Sequence, residues 1–547
     1  MSHEQLAVSI NGNLGEFLRR QSRSFPEKSA LLHPVKISFS ELDRRVDQLA
    51  NGFSQIGIKK GSRVIMLVKN NPDFYIITFA LMRMSAVPVL IDPGVGHKVM
   101  KNKLAGVSAD AFIGIPKAHL FRLLYRLSFK DIKIIITVGR RWFWSGYSLK
   151  YLFSRKEKPY PAPSVEATET GGIFFTSGST GPPKGVIYQN SMFHAQISFF
   201  KTHYKWSPEE TDLCTFPLIG LFSLCLGVSV VIADLNPVKP SSLNPEKIWK
   251  NLEEYNCSHM FASPMIVKKL AAYGHQQGLK LSHLKRIVSA GAPVPPDLLR
   301  NMKSLLSELA EIHTPYGATE ALPVSDACDT DLLAITGSNP FLKGICVGKP
   351  LPGMRVRIVK IDDGIIKHLK DKNILPDNQI GEIIVNGPVV THEYLNNEEA
   401  NKMAKITDES NSLWHRMGDL GRMDESGRLW FYGRKNHRVE TKTGRLYTIT
   451  TEALFNQHPL VERSALVGIH PDKNGIKEAV ICIEPAKKLS AKSKSLLIND
   501  LEKIIDQNSE VKAISAFLIT GEFPVDPRHN AKIFREKLSR LASRKIS

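Results

Sequence analysis

Cysteine is scarce in this sequence, and its distribution excludes two classes of protein. Six cysteines are scattered over 547 residues, with no C-x-x-C pair and no Cys/His cluster at metal-ligand spacing. A disulfide-stapled secreted domain and a structural zinc site are therefore not expected. Residues 1–17 include Glu4 and Glu16 and lack the apolar run of a signal peptide, so the sequence predicts a cytoplasmic protein.

Long apolar runs are scarce as well. The stretch from Phe216 to Ala233 has eighteen uncharged residues, which is the lower end of the length that can span a bilayer. It contains Pro217, Gly220 and Gly227 and ends in a β-branched run. These features predict a buried helix followed by a buried strand rather than a membrane span.

Acidic residues are outnumbered by basic ones. The chain has 73 Lys and Arg against 53 Asp and Glu, a formal charge of +20. This excess favours polyanionic partners, namely nucleotide phosphates, nucleic acid or an anionic membrane surface. Charge alone does not choose among them. Because neither an RNA-binding motif nor a helix-turn-helix is evident, no nucleic-acid partner is expected.

A basic, aromatic segment covers residues 122–158. It contains ten Lys or Arg and two acidic residues. Its aromatic residues include Tyr125, Trp142, Phe143, Trp144, Tyr147 and Tyr151. Such a segment suits peripheral contact with an anionic membrane, here the inner membrane, or docking on a partner protein. A solvated insertion that covers the N-terminal domain is the alternative interpretation.

Strand-like and helix-like stretches alternate over the first 330 residues. Apolar runs such as RVIMLV, VPVLID, KIIITV and RIVSAG are separated by amphipathic stretches such as FSELDRRVDQLANGFSQIG. This alternation predicts an α/β fold, with mostly parallel sheets flanked by helices. The segments MRVRIVK, GEIIVNG and GRLWFYG follow and predict a β-rich subdomain built from hairpins.

Beyond Gly433 the pattern changes to strands in SALVGIHP and AVICIEP and a helix in SLLINDLEKIIDQN. A chain of 547 residues is also long for a single core. We therefore predict an N-terminal domain over residues 1–433, a hinge over 434–437 that contains Asn436, and a small, mobile α+β domain over 438–547.

The segment TSGSTGPPKG, residues 176–185, combines glycines, hydroxyl groups and a lysine. Glycines let a backbone approach a phosphate, hydroxyl groups donate to it, and lysine offsets its charge. The spacing differs from a Walker A loop, because Pro183 precedes the lysine and Gly185 follows it. A flexible Gly/Ser turn is the alternative. The candidate ATP-binding residues here are Thr176, Ser177, Gly178, Ser179, Thr180, Gly181 and Lys184.

This loop closely resembles the phosphate loop of the AMP-forming adenylating enzymes, which include acyl-CoA synthetases, nonribosomal peptide adenylation domains and firefly luciferase. Further segments resemble motifs of that family and follow in its order: SAGAP, YGATE, GEIIVNGPVVTHEYLNN, MGDLG, the Gly433-Arg434 pair and DPRHNAKIFREKL. The resemblance covers nearly the whole chain. It implies ATP as substrate and Mg²⁺ as cofactor.

The resemblance also implies roles for single residues. In YGATE, Thr319 contacts the α-phosphate and Glu320 holds Mg²⁺. Asp419 binds the ribose hydroxyls, and Lys532 stands where the family has its C-terminal catalytic lysine. The remaining ATP-binding candidates are Gly291, Ala292 and Pro293 of SAGAP, Tyr316, Gly317 and Ala318 of YGATE, and Arg434 of the hinge block.

Each of these residues has an alternative interpretation. Glu320 could balance a helix dipole, and Asp419 could cap a hairpin. Arg434 could be a surface charge at a domain junction. Lys532 could belong to a solvated, basic helix face.

The chemistry explains why these residue types occur together. A carboxylate must attack the α-phosphorus of ATP although both reactants are anionic, and two unit charges ~4 Å apart repel by about 4 kcal/mol at an effective dielectric of 20. Lys184, Arg434, Lys532 and Mg²⁺ on Glu320 would offset that repulsion, with Thr319 as a donor. Because Lys532 lies in the small domain, it acts only when that domain closes over the nucleotide.

The sequence departs from the common acyl-CoA synthetase pattern. Ile219 and Gly220 stand where an aromatic residue and a histidine are common, the hinge residue is Asn436, and Asn530-Ala531 precede Lys532. The same segments, with FIGIPKAHL and HTPYGATEALPVS, resemble the β-lactone synthetases of bacterial long-chain olefin biosynthesis. That resemblance implies a 2-alkyl-3-hydroxy fatty acid as substrate, whose own 3-hydroxyl closes the lactone, and a multienzyme assembly as partner.

Other functions stay open at this point. A long-chain fatty acyl-CoA ligase is the alternative within the enzymes. A non-catalytic nucleotide-binding scaffold and a membrane- or nucleic-acid-binding module are alternatives from other classes.

Overall fold

The structure is a computed structural model that describes residues 12–92, 95–153, 158–175, 183–235, 242–335, 342–525 and 533–546. Its helices are, in chain order, α1 Leu14–Ser24, α2 Phe39–Gln55, α3 Pro72–Arg83, α4 His97–Ala105, α5 Pro116–Leu124, α6 Leu149–Phe153, α7 Asn190–Thr202, α8 Pro217–Cys225, α9 Pro245–Glu254, α10 Pro264–Gln277, α11 Pro296–Lys303, α12 Asp329–Ile335, α13 Glu398–Ala404, α14 Thr448–Phe455, α15 Ala491–Gln507 and α16 Arg535–Lys545.

The strands are, in chain order, β1 Ser29–His33, β2 Ile37–Ser38, β3 Arg63–Leu67, β4 Val87–Leu90, β5 Ala111–Gly114, β6 Ile134–Thr137, β7 Tyr147–Ser148, β8 Thr170–Phe175, β9 Gly185–Gln189, β10 Thr211–Cys214, β11 Ser229–Ile232, β12 His259–Ala262, β13 Arg286–Ser289, β14 Glu311–His313, β15 Tyr316–Ala318, β16 Ala321–Asp326, β17 Ile345–Cys346, β18 Lys349–Pro350, β19 Arg355–Val359, β20 Gly381–Asn386, β21 Lys405–Thr407, β22 Leu413–Met423, β23 Leu429–Arg434, β24 Val439–Thr441, β25 Gly444–Leu446, β26 Val461–Ile469, β27 Glu478–Pro485 and β28 Ile514–Ile519.

Two seven-stranded sheets carry the first part of the chain. The first sheet has the order β7-β6-β5-β3-β4-β8-β9 and the second has the order β14-β13-β12-β10-β11-β1-β2. Both are parallel except for the pairs β8/β9 and β1/β2 at one edge of each. Strands β5 and β13 are buried at every position, as expected for parallel strands covered by helices on both faces. The predicted α/β architecture is therefore observed.

Local sequence signals explain where the first helices begin. Asn13, Ser38 and Asn71 each precede a helix, and each side chain accepts a hydrogen bond from a backbone amide of the first turn. This contact satisfies one of the donors that a helix N-terminus leaves unpaired.

The uncharged stretch from Phe216 to Ala233 forms a helix and a strand. Helix α8 takes the first half and strand β11 the second, and β11 lies between β10 and β1 in the second sheet. Within the described ranges, every helix is too short or too polar to cross a bilayer. The prediction of a buried helix followed by a buried strand is confirmed.

The hairpin-like segments form antiparallel sheets. Strands β17-β23-β22-β20-β19 make a sheet that β21 extends beside β22, and β15-β16-β18 make a smaller one. The turn from β15 to β16 contains Thr319 and Glu320. The β-rich subdomain thus lies between the second parallel sheet and the C-terminal segment in the sequence.

The part after the predicted hinge contains the two-stranded sheet β24-β25, the three-stranded sheet β26-β27-β28 and helices α14 to α16. Helix α14 packs closely on β23, because a Cβ atom at Gly433 would come within 2.1 Å of the Thr448 hydroxyl. Gly433 also has a φ of +116°, which disfavours other residues. The domain boundary at residue 433 stays a prediction.

A buried ion network fixes the start of the predicted hinge to the β-rich subdomain. The Glu382 side chain of β20 is 1% exposed and accepts from Arg416 Nε at 3.1 Å and Nη2 at 2.6 Å. Lys435 Nζ, in the 3₁₀ turn Lys435–His437, lies 3.1 Å from Glu382 Oε2. One buried carboxylate therefore pairs with two buried cations, and Lys435 Nζ also lies 3.9 Å from Asp363 Oδ1.

We predict that Glu382→Ala lowers the free energy of unfolding by about 3–5 kcal/mol, because Arg416 and Lys435 lose their buried counter-charge. The measurement is urea unfolding followed by circular dichroism. Asp297→Ala is the matched control, since it removes the carboxylate of the exposed Arg300–Asp297 pair and is expected to cost less than about 1 kcal/mol. Equal losses in both variants would contradict the prediction.

Candidate active site

Two neighbouring parallel strands bring SAGAP and YGATE to the same sheet edge. Strand β13 ends at Ser289 and β14 ends at His313, and Val288 pairs with His313 in register. The carboxyl ends of parallel strands lie at one edge, where open α/β sheets bind ligands. Gly291 has a φ of +95° directly after β13, so the chain turns sharply there. Gly291, Ala292 and Pro293 therefore start at the edge that also holds Tyr316.

Tyr316 joins this edge to the six-stranded sheet. Its hydroxyl donates a hydrogen bond of 2.7 Å to Asp419 Oδ2 of β22. Arg434 pairs with Asp419 across β22 and β23, and its Nη1 lies 3.0 Å from Asp419 Oδ1. Burial raises the pKa of Asp419, and Arg434 opposes that shift. The structure thus brings together three residues that the sequence analysis assigned to ATP.

Hydrogen bonds fix the backbone of YGATE, whereas its side chains are half-buried. Tyr188 of β9 donates to the Thr319 carbonyl at 2.6 Å, and the Thr391 amide donates to the Glu320 carbonyl at 2.9 Å. Gly317 is tightly enclosed, because a Cβ there would lie 2.5 Å from the Ala321 carbonyl oxygen. Residues 314–320 are all half-buried. The backbone of this segment is therefore fixed by its neighbours, and its side chains stay accessible.

Glu320 lies beside two cations. Tyr394 donates a hydrogen bond of 2.8 Å to Glu320 Oε1. Lys184 Nζ lies 4.8 Å from the centroid of the Tyr394 ring and Lys405 Nζ lies 5.7 Å from it. Strand β9 contributes to this arrangement, because Val186 bridges to Tyr394. The Glu320 cluster, as we name Lys184, Glu320, Tyr394 and Lys405, therefore has two lysines for one carboxylate.

Lys405 and His415 were missed by the sequence analysis. Lys405 donates to the Thr391 carbonyl and pairs with His415 across β21 and β22. Burial lowers the pKa of Lys405 to about 7; Glu320 counters this shift and Lys184 adds to it. Burial, with Lys405 and Lys184 nearby, lowers the pKa of His415 far below its usual value. These shifts favour a neutral His415 and bring the proton exchange of Lys405 towards neutral pH.

Part of the predicted site lies outside the described residues. This applies to Lys532 and to the loop residues Thr176, Ser177, Gly178, Ser179, Thr180 and Gly181. The strands that flank the loop are described, and Phe175 pairs with Gly185. Asn436, the predicted hinge residue, is exposed within the turn Lys435–His437. The roles given to all these residues stay predictions.

A separate cluster of possible metal ligands lies at the far end of β16. Within the described part of the chain, His203, His313 and Asp326 offer ligand atoms within 4.8 Å of one another. His203 Nε2 and His313 Nδ1 both lie at hydrogen-bond distance from Asp326 Oδ2, 2.8 and 2.6 Å. At about 3.3 Å per residue, Asp326 is roughly 17 Å along β16 from Ala321. The cluster is therefore distinct from Glu320.

Comparison with known proteins assigns the chain to a family. A family model described as AMP-binding enzyme matches residues 18–395. The chain is 38% identical to the olefin beta-lactone synthetase of Xanthomonas campestris pv. campestris, over 96% of this chain and 97% of that one. The olefin beta-lactone synthetase of Stenotrophomonas maltophilia is also 38% identical, over 94% and 92%. The chain belongs to the AMP-binding enzyme family.

More distant matches agree with this assignment. The acyl-CoA ligase sidI of Aspergillus fumigatus is 25% identical, over 84% of this chain and 79% of that one. Among solved structures, the O-succinylbenzoate coenzyme A synthetase from Bacillus subtilis in complex with ATP and magnesium ion has a TM-score of 0.76 at 18% identity, over 95% and 98% of the chains. That identity bears on the fold alone. The predicted AMP-forming, carboxylate-activating ligase is confirmed.

The Glu320 cluster makes a prediction about pH. The Lys405 pKa is about 7 in the fold against 10.5 in the unfolded reference, so between these values the unfolded chain binds a proton that the fold does not. The free energy of unfolding must then rise with pH, by at most about 1.4 kcal/mol per unit. From pH 7 to pH 9 the wild type should gain about 2 kcal/mol relative to Lys405→Met.

Urea unfolding of the nucleotide-free protein at both pH values measures this difference. Lys402→Met is the control, because Lys402 is exposed on α13 and pairs loosely with Glu398 at 3.8 Å. The difference in free energy of unfolding between Lys402→Met and the wild type should not change with pH. If the difference in free energy of unfolding between Lys405→Met and the wild type is also the same at both pH values, Lys405 keeps its proton through this range and the prediction is wrong.

Proposed function

We propose that the protein adenylates a long-chain 2-alkyl-3-hydroxy fatty acid with ATP and then lets the 3-hydroxyl of that acid close a β-lactone. In the first step a carboxylate oxygen bonds to the α-phosphorus of ATP and pyrophosphate leaves. In the second step the hydroxyl oxygen bonds to the acyl carbon, AMP leaves and the hydroxyl proton is released. Coenzyme A takes no part.

The observation that carries this proposal is the 38% identity to olefin beta-lactone synthetases along nearly the whole chain. The identity extends well past the family model, which ends at residue 395. Tethering of the attacking hydroxyl to the acyl group supports the second step, since intramolecular attack reaches high effective molarity.

The described residues suit a nucleotide. Asp419 Oδ1 is buried, with Arg434 Nη1 3.0 Å away, and the resemblance to the family implies that this carboxylate accepts from the ribose hydroxyls. Arg434 favours the ionised form of the carboxylate, and Tyr316 donates a hydrogen bond that orients it. In this proposal Lys184 and Thr319 contact the phosphates. Together these residues orient ATP and offset its negative charge.

Glu320 suits a magnesium ion that arrives with ATP. Mg²⁺ takes oxygen ligands and is commonly held by one or two carboxylates together with substrate phosphates. Glu320 offers one carboxylate, oriented by Tyr394, beside two lysines. When bound, Mg²⁺ would draw negative charge from the phosphates and so help pyrophosphate to leave. Lys184 and Lys405 add to that charge balance from the protein side.

The product implies a partner. A β-lactone retains the carboxyl carbon of the acid, so an olefin requires a further enzyme that removes carbon dioxide. We propose that the protein works in a multienzyme assembly with such a decarboxylating enzyme, in the cytoplasm.

An acyl-CoA ligase is the second candidate, favoured by the match to an acyl-CoA ligase at 25% identity. The two functions separate in one assay. The purified protein is given a long-chain 2-alkyl-3-hydroxy acid, ATP and Mg²⁺, with and without coenzyme A, and lactone, AMP and thioester are measured by mass spectrometry. We expect lactone and AMP in equal amounts without coenzyme A. Thioester as the main product would replace the proposal with the ligase.

We predict that Lys532→Ala lowers adenylation at least about 100-fold, because one cation at the reacting phosphate is lost. Pyrophosphate release in the presence of the acid measures this step. Lys545→Ala is the control, since Lys545 is exposed near the end of α16 and should keep full activity. Unchanged pyrophosphate release from Lys532→Ala would remove the catalytic role of Lys532.

A further inference from the structure

We propose that a basic, apolar face at the β7 edge of the first sheet docks the protein on an anionic lipid bilayer. The face consists of the exposed side chains Leu120, Leu124 and Leu127, of Trp142 and Phe143, and of the surrounding cations Lys117, Arg126, Lys130, Lys133, Arg140 and Arg141. We call it the β7-edge face.

Exposed apolar side chains are concentrated there. Thirteen large hydrophobic side chains are exposed in the described part of the chain, and seven of them lie between Leu120 and Tyr151. Leu127 is 79% exposed and Phe143 is 77% exposed. Soluble proteins expose single apolar side chains commonly, whereas a group of them marks an interaction surface.

The exposed apolar side chains come from two neighbouring segments, which the stacking of Trp144 on His119 joins. Leu120 and Leu124 are one turn apart on α5 and share a face, and Leu127 follows in the 3₁₀ turn Arg126–Phe129. The loop that carries Trp142 and Phe143 is placed beside α5 by Trp144. The Trp144 ring stacks on His119 of α5, with centroids 5.1 Å apart.

Trp144 is the buried anchor of that loop. Its indole Nε1 donates to Thr137 Oγ1 at 2.9 Å, and the Phe143 and Trp142 rings lie 5.3 and 5.5 Å from it. The neighbouring His119 Nε2 lies 3.1 Å from the Ile136 carbonyl oxygen. The contacts of the buried Trp144 therefore fix the loop from which the exposed side chains of Trp142 and Phe143 extend.

Charge identifies the occupant as an anionic lipid surface. Residues 111–153 contain eight Lys and Arg but a single acidic residue, Asp131. The eight cations are Arg122, which is buried, and the exposed Lys117, Arg126, Lys130, Lys133, Arg140, Arg141 and Lys150. Protein interfaces are depleted in lysine at their centre, whereas lipid-binding faces combine Lys and Arg with Trp, Phe and Leu.

Co-sedimentation with vesicles tests the proposal. The full chain is mixed with vesicles of phosphatidylcholine alone and with vesicles that also contain phosphatidylglycerol, at low and high salt. We expect binding to the anionic vesicles, weakened by salt, and little binding to the neutral ones. Each exposed cation near an anionic surface contributes about fivefold to such binding.

Two double variants separate the contributions of charge and apolar contact. Arg126→Glu with Lys130→Glu, and Leu127→Ser with Phe143→Ser, should each weaken binding at least about tenfold. The matched controls are Lys487→Glu with Lys488→Glu, and Leu309→Ser with Leu496→Ser, which change exposed residues elsewhere. Both controls should bind like the wild type, and thermal unfolding midpoints should match in all variants.

Three results would overturn the proposal. The wild type could fail to bind anionic vesicles at low salt. The variants of the β7-edge face could bind the anionic vesicles as tightly as the wild type does, which would favour a protein partner for this face. Alternatively, the charge control could lose as much binding as the face variant, which would assign binding to the overall charge of +20.

Discussion

The repulsion between two anionic reactants is the constraint on which this structure depends. In the function that we propose, cations from distant parts of the sequence offset this repulsion, and the fold brings two of them to the neighbourhood of one carboxylate. Lys184 directly precedes β9 of the first sheet, Glu320 lies in the turn between β15 and β16, and Lys405 begins β21 of the six-stranded sheet. Each sheet must therefore be correctly placed for the Glu320 cluster to exist.

The members of the Glu320 cluster influence one another's protonation. Lys405 has a pKa of about 7, which burial and Lys184 lower and Glu320 raises, so a bound polyphosphate would favour its protonated form. His415 is neutral at the same pH and adds no repulsion.

Much of the fold follows from local patterns, but only part of the site does. The parallel sheets follow from apolar runs between amphipathic helices, and the motif residues Tyr316, Asp419 and Arg434 lie together as expected. Lys405 carries no such signal. It reaches the site through pairing of β21 with β22, a contact that neither strand specifies by itself, and Gly418 at a φ of +66° interrupts the alternation of β22.

The β7-edge face and the candidate active site lie at opposite edges of one sheet. The first sheet runs from β7 to β9 through six strand-to-strand steps, and at about 4.8 Å each these steps separate its edges by about 29 Å. Lys184 and Tyr188 belong to the β9 edge. A protein that rests on lipid by its β7 edge would keep its β9 edge away from the headgroups. The predicted C-terminal domain needs that room to close.

Long acyl chains partition strongly into bilayers, by about 0.8 kcal/mol for each buried methylene. Docking at the opposite edge would thus bring the enzyme to its proposed substrate without obstructing the nucleotide.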